Sequence, residues 1–390
     1  QRQQPILTAK VLEVQSIKGN EALHQVDISK TFDNYLRVES IRTMAITDVD
    51  RIGLLIGAGS MGKRHAKILA QKYSEVIVVD RDPTLEVWVT QELRQQDMFF
   101  PDVESALSKI GTRCSQVTAI IATVGPDHLS TFNRLVDAGV KRMLCEKPLS
   151  NSIANARQMV DRSVHDNVRF TVGLQRRRSG LVPQLLEAAE KHLGGLPVAI
   201  VGHGGAQCLM TTGMHWIDLA IDVFGEAPTS VTAIAEPDMI NPRGKDLEMW
   251  AGVAGWSFSR GRYLSLTYSN LSSVEGTLHM YCPTGRLDVA PSGDWQMYQR
   301  DAEQIKNDPR ITRVGEATFQ PRFVVANPTI HPTLVALNEL DSDCELSYTS
   351  QDALVSLDAA IGALISAQTN KAVSFPITDS DLVAKEWAVS

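Results

Sequence analysis

A glycine-rich turn between a buried strand and a helix constrains the fold of this chain more than any other feature. Ile52–Ile56 is an uninterrupted apolar run, which is typical of a strand buried on both faces of a parallel sheet. The segment 57–62 follows with the sequence GAGSMG, and a helical pattern of apolar residues begins at Ser60. The sequence therefore predicts a strand–turn–helix unit whose backbone bends at glycine residues.

The GxGxxG pattern of this turn is suited to binding a dinucleotide. Gly57 permits the tight turn, Gly59 lets the backbone approach a pyrophosphate, and Gly62 allows the helix to pack closely on the strand. The start of the helix, with Ser60 and Met61, offers free N–H groups and the positive end of the helix dipole to phosphates. We therefore expect a pyrophosphate site at this turn.

An acidic residue, Asp80, ends the next apolar run. In dinucleotide-binding folds an acidic residue at this position binds the hydroxyls of a ribose. Its carboxylate favours NAD over NADP, because it repels a 2′-phosphate. Arg81 leaves NADP open, since a guanidinium can pair with that phosphate or stack on adenine. The alternative for Arg81 is a side chain that simply points into solvent.

Strand and helix patterns alternate up to residue 150, which predicts an α/β fold with a doubly wound parallel sheet. We therefore assign residues 51–150 to an NAD(P)-binding Rossmann domain. From 151 to 378 a run of alternating apolar and polar segments predicts a second α/β domain with a large, open, mainly antiparallel sheet. We expect no regular elements between residues 292 and 332. Residues 1–50 form an N-terminal extension of unknown role, and 379–390 form a tail.

Composition points to small-molecule chemistry. The chain has 38 Lys and Arg against 45 Asp and Glu, a net charge of −7, which argues against nucleic acid as a partner. Its apolar stretches are far shorter than the ~20 residues that cross a bilayer, so no membrane contact is expected. The 5 cysteines have no CxxC spacing, which predicts reduced thiols in the cytoplasm and no metal site.

A second motif, Cys145-Glu146-Lys147-Pro148-Leu149, follows the last strand of the first domain. Further landmarks come in order: His128 after the strand that ends near Thr123, the segment VGLQRR at 172–177, and GMHWID at 213–218. Together they make the chain resemble the Gfo/Idh/MocA oxidoreductases, which include glucose–fructose oxidoreductase and inositol dehydrogenases. The resemblance covers roughly residues 51–378.

This resemblance implies a hydride transfer between nicotinamide and a CH–OH group, with NAD as cofactor and NADP also possible. Lys147 is implied to lie beside the nicotinamide and the reacting carbon, and His215 to serve as the general base. Glu146 is implied to position Lys147 or the nicotinamide ribose, and Thr123 and His128 to belong to the nicotinamide pocket.

The implied substrate is a sugar, a nucleotide sugar or a cyclitol. Arg176 and Arg177 are candidates for binding a phosphate or carboxylate of that substrate, although a solvated run of charges fits them equally well. Thr211 and Thr212 are further candidates. Dehydrogenases of this family usually have an aspartate one helical turn before the histidine, and here that position is Thr211.

Two other functions remain open on the sequence. Some relatives use bound NAD transiently to cleave glycosidic bonds, and some proteins of this fold are non-catalytic sensors of a dinucleotide or sugar. The resemblance also implies a homodimer or homotetramer that pairs through the large sheets.

Overall fold

The first sheet, in a computed structural model of the chain, has six parallel strands in the order β3-β2-β1-β4-β5-β6. The structure describes residues 50–205, 208–236, 250–300, 303, 306, 320–325 and 331–389, so the predicted extension lies outside it except for Asp50. The strands are β1 (Ile52–Ile56), β2 (Glu75–Val79), β3 (Phe99–Phe100), β4 (Val117–Ile121), β5 (Arg142–Cys145) and β6 (Arg169–Val172).

Helices connect these strands and cover the sheet, as the alternating pattern predicts. They are α1 (Ser60–Lys72), α2 (Leu85–Glu92), α3 (Val103–Ile110), α4 (His128–Asp137) and α5 (Ile153–His165). β1 and β4 are buried along their whole length, and the strand order reverses between them. The doubly wound fold is thereby confirmed, and its ligand crevice lies at the carboxyl ends of these two strands.

The first sheet extends beyond the boundary that the sequence predicts at residue 150. β6 pairs in parallel with β5, from Arg142 opposite Arg169 to Cys145 opposite Val172. The crossover α5 begins at Ser152, whose hydroxyl accepts a hydrogen bond from the backbone N–H of Asn155. One more strand–helix–strand unit therefore belongs to the parallel sheet.

The second sheet has nine strands in the order β14-β13-β12-β11-β7-β10-β9-β8-β15. Its pairs are antiparallel apart from β7 with β10, which run parallel. The strands are β7 (Ala199–Gly204), β8 (Ser230–Ala235), β9 (Gly252–Ser257), β10 (Tyr263–Tyr268), β11 (Thr277–Cys282), β12 (Gly285–Val289), β13 (Trp295–Gln299), β14 (Gln320–Val325) and β15 (Val373–Ser374).

The expectation of no regular elements between residues 292 and 332 is wrong. β13 and β14 both lie in this stretch and pair with each other across one irregularity in register. Trp295 and Met297 of β13 are buried whereas Gln296 between them is exposed. The period of two residues is present in the sequence but is only one strand long, and polar neighbours hide it.

One apolar helix joins the two sheets. The remaining helices are α6 (Leu181–His192), α7 (Met214–Phe224), α8 (Pro332–Asp341), α9 (Ser350–Thr369) and α10 (Ser380–Ala384). α9 packs against α5 of the first unit, which is built on the six-stranded sheet, and against β8 and α7 of the second unit, which is built on the nine-stranded sheet. Trp256 Nε1 of the second unit donates a hydrogen bond to the Ala359 carbonyl of α9 at 2.9 Å. Within the described ranges, no helix, α9 included, is long and apolar enough to cross a membrane.

The C-terminal segment returns to the first sheet at two places. Asp341 at the end of α8 accepts hydrogen bonds from Tyr73 Oη and Thr118 Oγ1, both at 2.7 Å. Farther along the chain, the backbone N–H of Trp387 donates to the Asn151 carbonyl at 2.9 Å, and the Trp387 side chain is buried. The tail therefore packs beside the segment that follows β5.

Candidate active site

The glycine turn has the geometry that its sequence predicts. Gly57 has φ +91°, and a Cβ at this position would lie 2.6 Å from the Ala122 carbonyl oxygen. A Cβ on Gly62 would collide with the carbonyl oxygen of Gly57, so that α1 can pack this closely only with glycine there. A Cβ on Gly59 meets nothing within 4 Å. Gly57 and Gly62 thus shape the turn, and Gly59 leaves space above it.

Asp80 is fixed at the rim of this space by backbone donors. Its Oδ2 accepts from the N–H of Ala58 at 2.6 Å, and its Oδ1 accepts from the N–H of Asp82 at 3.0 Å. The carboxylate is half-buried and keeps further lone pairs for other donors. Arg81 beside it is 91% exposed and lies 3.7 Å from Asp127, across the opening.

A cleft of about 540 Å³ runs along the carboxyl ends of the parallel strands. Its lining includes the glycine turn with Ser60 and Met61, then Asp80 and Arg81 after β2. The lining is completed, on the side toward the second unit, by Thr123 after β4 and by Glu146 and Lys147 after β5. The structure therefore brings most of the predicted cofactor residues to one cleft.

The carboxylate of Glu146 is buried at the end of β5 and links two elements. Its Oε1 lies 2.7 Å from His65 Nε2 on α1, and its Oε2 accepts from the backbone N–H of Lys147 at 3.2 Å. Burial raises the pKa of Glu146, but the bond to His65 and the charges of His65 and Lys147 outweigh burial and lower it. Gly173 makes room for this carboxylate, because a Cβ there would lie 2.9 Å from Oε1.

His65 is a residue that the sequence reasoning missed. Its second ring nitrogen, Nδ1, lies 3.2 Å from Thr333 Oγ1 on α8, so the ring is held from both sides. The available signal was its spacing, since His65 lies between Met61 and Ile68 on the inward side of α1. A histidine on an apolar helix face indicates a buried polar partner.

His128, predicted for the nicotinamide pocket, lies beneath the pocket instead of in its lining. The ring is fully buried, with Nδ1 3.0 Å from the Pro148 carbonyl and Nε2 3.1 Å from the Thr123 carbonyl. Burial lowers the pKa of His128 and outweighs the hydrogen bond with the Thr123 carbonyl, which raises it. His128 thus holds together the loops after β4 and β5, while Thr123 Oγ1 is buried without a hydrogen-bond partner among the described residues.

His215 lies at the start of α7, on the side of the second unit. Burial first, and then the positive charges of Lys147 and Arg176, lower its pKa to about 3, with Glu146 opposing them. Its Nδ1 is buried and has no hydrogen-bond partner among the described residues. The imidazole is therefore neutral at physiological pH, and Lys147 and Arg176 lie within electrostatic range of it.

The three consecutive arginines have different surroundings. Arg177, predicted as a substrate ligand, donates to Asp218 at 3.1 Å and to Asp222 at 2.8 Å. Burial lowers the pKa of Arg177, but these carboxylates outweigh burial and raise it. Arg178 pairs with Glu339 at 2.8 Å in the interior. Arg177 and Arg178 are therefore neutralised by carboxylates of the fold, and Arg176 is the arginine of the three without such a partner among the described residues.

The two threonines before α7 belong to one turn of π-helix, Leu209–Gly213. Thr211 Oγ1 donates to the Cys208 carbonyl at 3.1 Å, so that its hydroxyl proton is directed to the backbone and not to His215. Thr212 is half-buried, and nothing in the structure distinguishes a substrate role for it. Among the described residues, no carboxylate lies within ion-pair distance of His215.

The cleft fits a dinucleotide. No side chain caps the N-terminus of α1 in the described structure and its first turn has no acidic residue, so its N–H groups point to the space above Gly59. These amides suit a pyrophosphate, and Asp80 suits ribose hydroxyls. Lys147 and Thr123, whose hydroxyl has no partner among the described residues, line the same cleft. Fold and cleft together define a dinucleotide-binding protein.

Comparison with known proteins agrees with this class. Residues 52–174 match a family model described as the oxidoreductase family with an NAD-binding Rossmann fold, Gfo/Idh/MocA. Over these residues the match confirms the resemblance to the Gfo/Idh/MocA oxidoreductases. The cofactor that this domain type binds is NAD. No curated protein matches the chain.

Solved structures share the fold across both sheets. UDP-N-acetylglucosamine 3-dehydrogenase GnnA from Acidithiobacillus ferrooxidans has a TM-score of 0.64 at 17% identity, over 82% of this chain and 98% of its own. The WlbA dehydrogenase from Bordetella pertussis, in complex with NADH and UDP-GlcNAcA, has a TM-score of 0.62 at 19% identity. The match covers 84% of this chain and 100% of the WlbA chain. GenD2 from gentamicin A biosynthesis, in complex with NAD, has a TM-score of 0.64 at 18% identity. The match covers 85% of this chain and 98% of the GenD2 chain.

Two glycine variants separate cofactor contact from folding. Gly59→Ala is expected to keep the melting temperature of the wild type and to weaken NADH binding, because its Cβ projects only into the cleft. Gly62→Ala is expected to lower the melting temperature, because its Cβ collides with backbone. Differential scanning calorimetry and NADH fluorescence titration measure the two effects. Unchanged NADH affinity in Gly59→Ala would contradict a pyrophosphate at this turn.

Proposed function

We propose that the chain is an NAD(P)-dependent dehydrogenase that oxidises a secondary alcohol of a sugar, nucleotide sugar or cyclitol. The observation that carries the proposal is the position of Lys147, which lines the dinucleotide cleft and also lies within electrostatic range of His215. A cation of the cofactor cleft and an imidazole at the start of α7 are therefore close enough to interact electrostatically. Such a pair can hold and deprotonate a hydroxyl beside a nicotinamide.

His215 is the proposed general base. Its neutral imidazole accepts the hydroxyl proton through a ring nitrogen. A pKa of about 3 means that protonation of the free enzyme occurs only in strong acid. Falling pH therefore does not remove the base form of His215 between pH 8 and pH 5.

Lys147 is proposed to bind the oxygen that loses its proton. Its ammonium donates a hydrogen bond to this oxygen and stabilises the negative charge that develops on it. The link from Glu146 to the Lys147 backbone and to His65 holds β5 and α1 in register, so that lysine and cofactor cleft keep a fixed distance. Bound NAD supplies the hydride acceptor of the reaction.

The choice among substrates rests on the relatives. GnnA is by its description a UDP-N-acetylglucosamine 3-dehydrogenase, and WlbA was crystallised with UDP-GlcNAcA. Both descriptions support a sugar ring with free hydroxyl groups as the substrate class. We place the reaction in the cytoplasm, since each of the 5 cysteines is a free thiol.

A sensor without catalysis is the second candidate. Two observations favour it: Thr211 donates to the backbone where relatives have an aspartate, and His215 has a low proton affinity. Such a protein would bind NADH and a sugar and would turn neither over. The proposed dehydrogenase and this sensor differ in one measurable property, the production of NADH.

Replacing the two proposed proton-handling residues tests the mechanism. Lys147→Met and His215→Asn are each expected to lower kcat/KM by about 10²- to 10⁴-fold, because each removes a group that acts on the hydroxyl proton. NADH formation is followed by absorbance over a panel of sugars, nucleotide sugars and cyclitols. With wild-type protein, kcat/KM is expected to show no loss due to His215 between pH 8 and pH 5.

Lys191→Met is the matched control, since Lys191 is an exposed residue of α6 away from the cleft. It is expected to keep the wild-type rate. Wild-type protein that binds NADH but oxidises no compound of the panel would contradict the dehydrogenase and favour the sensor.

We propose further that a second copy of the chain covers the outer face of the nine-stranded sheet. Exposed apolar side chains project there from neighbouring strands: Ile234, Val253, Tyr263 and Tyr281. Apolar patches of this kind mark interfaces.

Sedimentation velocity tests this pairing. The wild type is expected to be a dimer or tetramer, and Ile234→Lys is expected to dissociate it because a charge enters an apolar interface. Val87→Lys is the control, because Val87 is 58% exposed on α2, outside this sheet. A monomeric wild type at micromolar concentration would rule the pairing out.

A further inference from the structure

Three side chains that influence one another electrostatically each have a buried polar atom without a partner among the described residues. Arg176 Nε, His215 Nδ1 and Tyr268 Oη are buried and lack hydrogen bonds within the described residues. Buried polar groups of folded proteins are nearly always bonded, so a group of unbonded ones indicates an absent partner. These three side chains affect one another electrostatically, since Arg176 acts on the pKa of both His215 and Tyr268.

Arg176 is held in place without a carboxylate. Its guanidinium stacks on the Trp216 ring with 3.8 Å between guanidinium carbon and ring centroid, and its Nη2 donates to the Pro291 carbonyl at 2.9 Å. Neither contact neutralises its charge. Arg177 and Arg178, by contrast, each pair with a carboxylate. Throughout the described ranges, no carboxylate lies within ion-pair distance of Arg176.

A buried cation without a counter-charge is costly unless a ligand neutralises it. Burial lowers the pKa of Arg176 to about 10, and the guanidinium therefore stays charged at neutral pH. Lys147 adds a second positive charge near His215, and Glu146 is the negative group in this neighbourhood. Both oxygens of Glu146 are already engaged, by His65 and by the Lys147 backbone. Arg176 thus contributes a positive charge that no carboxylate of the described residues pairs with.

We propose that Arg176 binds a carboxylate of the substrate, so that the substrate is a hydroxy acid such as a sugar acid. This inference rests on the proposed function and narrows its substrate class. The two oxygens of a carboxylate match the donors of a guanidinium. A carboxylate on the carbon skeleton of the substrate keeps its charge near the hydroxyl that Lys147 and His215 act on. The diphosphate of a nucleotide sugar lies farther from that hydroxyl.

Carboxylate binding also changes the base. Burial is the main cause that lowers the pKa of His215, and the positive charges of Lys147 and then of Arg176 lower it too. A carboxylate paired with Arg176 offsets the last of these contributions. His215 then gains proton affinity when the correct substrate is bound. Tyr268 is the neighbouring donor, since its buried hydroxyl is free to turn toward the same carboxylate. Substrate charge thus replaces, in part, the aspartate that is missing at Thr211.

The test compares acids with neutral compounds of the same carbon skeleton. Isothermal titration calorimetry of NADH-loaded protein uses D-glucuronate against D-glucose and D-gluconate against D-glucitol, with D-glucose 6-phosphate as the phosphate arm. Because the cofactor is already reduced, these alcohols bind without turnover. At least one acid is expected to bind about tenfold or more tightly than its neutral partner.

Two variants assign this preference to Arg176. Arg176→Gln is expected to reduce the preference for the acid to about twofold or less. Arg176→Lys is expected to keep part of it, because lysine keeps the positive charge but lacks the paired N–H donors of a guanidinium. NADH affinity is expected to be unchanged in both variants, which shows that they fold. A lost acid preference with an intact NADH site distinguishes ligand binding from a merely structural role of Arg176.

Three outcomes overturn the proposal. They are a wild type that binds neither acid better than its neutral partner, an Arg176→Gln protein that keeps the wild-type preference, and tight binding of D-glucose 6-phosphate alone. Failure of wild-type protein to bind NADH counts instead against the proposed function.

Discussion

A buried carboxylate, Glu146, holds the nucleotide-binding half of this protein together. Through His65 it fixes α1, the helix whose N-terminus faces the cofactor space, and through the Lys147 backbone it fixes the end of β5. Thr333 on the other side of His65 brings α8 to the same point. A buried charge is tolerated only with such partners, so these contacts come as a set. The distance between cofactor cleft and Lys147 depends on this set.

The distribution of charge separates structural residues from those that face the cleft. Arg177 and Arg178 are each neutralised by carboxylates of the fold, and their neighbour Arg176 is not. Burial and then the charges of Lys147 and Arg176 lower the pKa of His215, which forms no ion pair with a carboxylate among the described residues. The proposed reaction therefore takes place in a positively charged space, and the chain relies on its substrate for the balancing charge.

Local motifs made the cofactor half predictable. The GxGxxG turn, Asp80 and the motif around Lys147 have fixed places relative to the strand ends, so their positions in the cleft follow from the sequence. Long-range partners were not predictable in this way. Nothing local to Arg177 indicates Asp218, and nothing near His128 indicates that its ring lies under two loops. β13 was hidden because its alternation spans only Trp295 to Met297.

A crystal structure of the chain with NAD⁺ would show directly how the cleft holds its cofactor. We expect the pyrophosphate on the backbone amides at the start of α1 and the nicotinamide ring beside Lys147, with its reactive face toward His215. A nicotinamide ring that lies away from Lys147, or whose reactive face is turned from His215, would contradict this expectation.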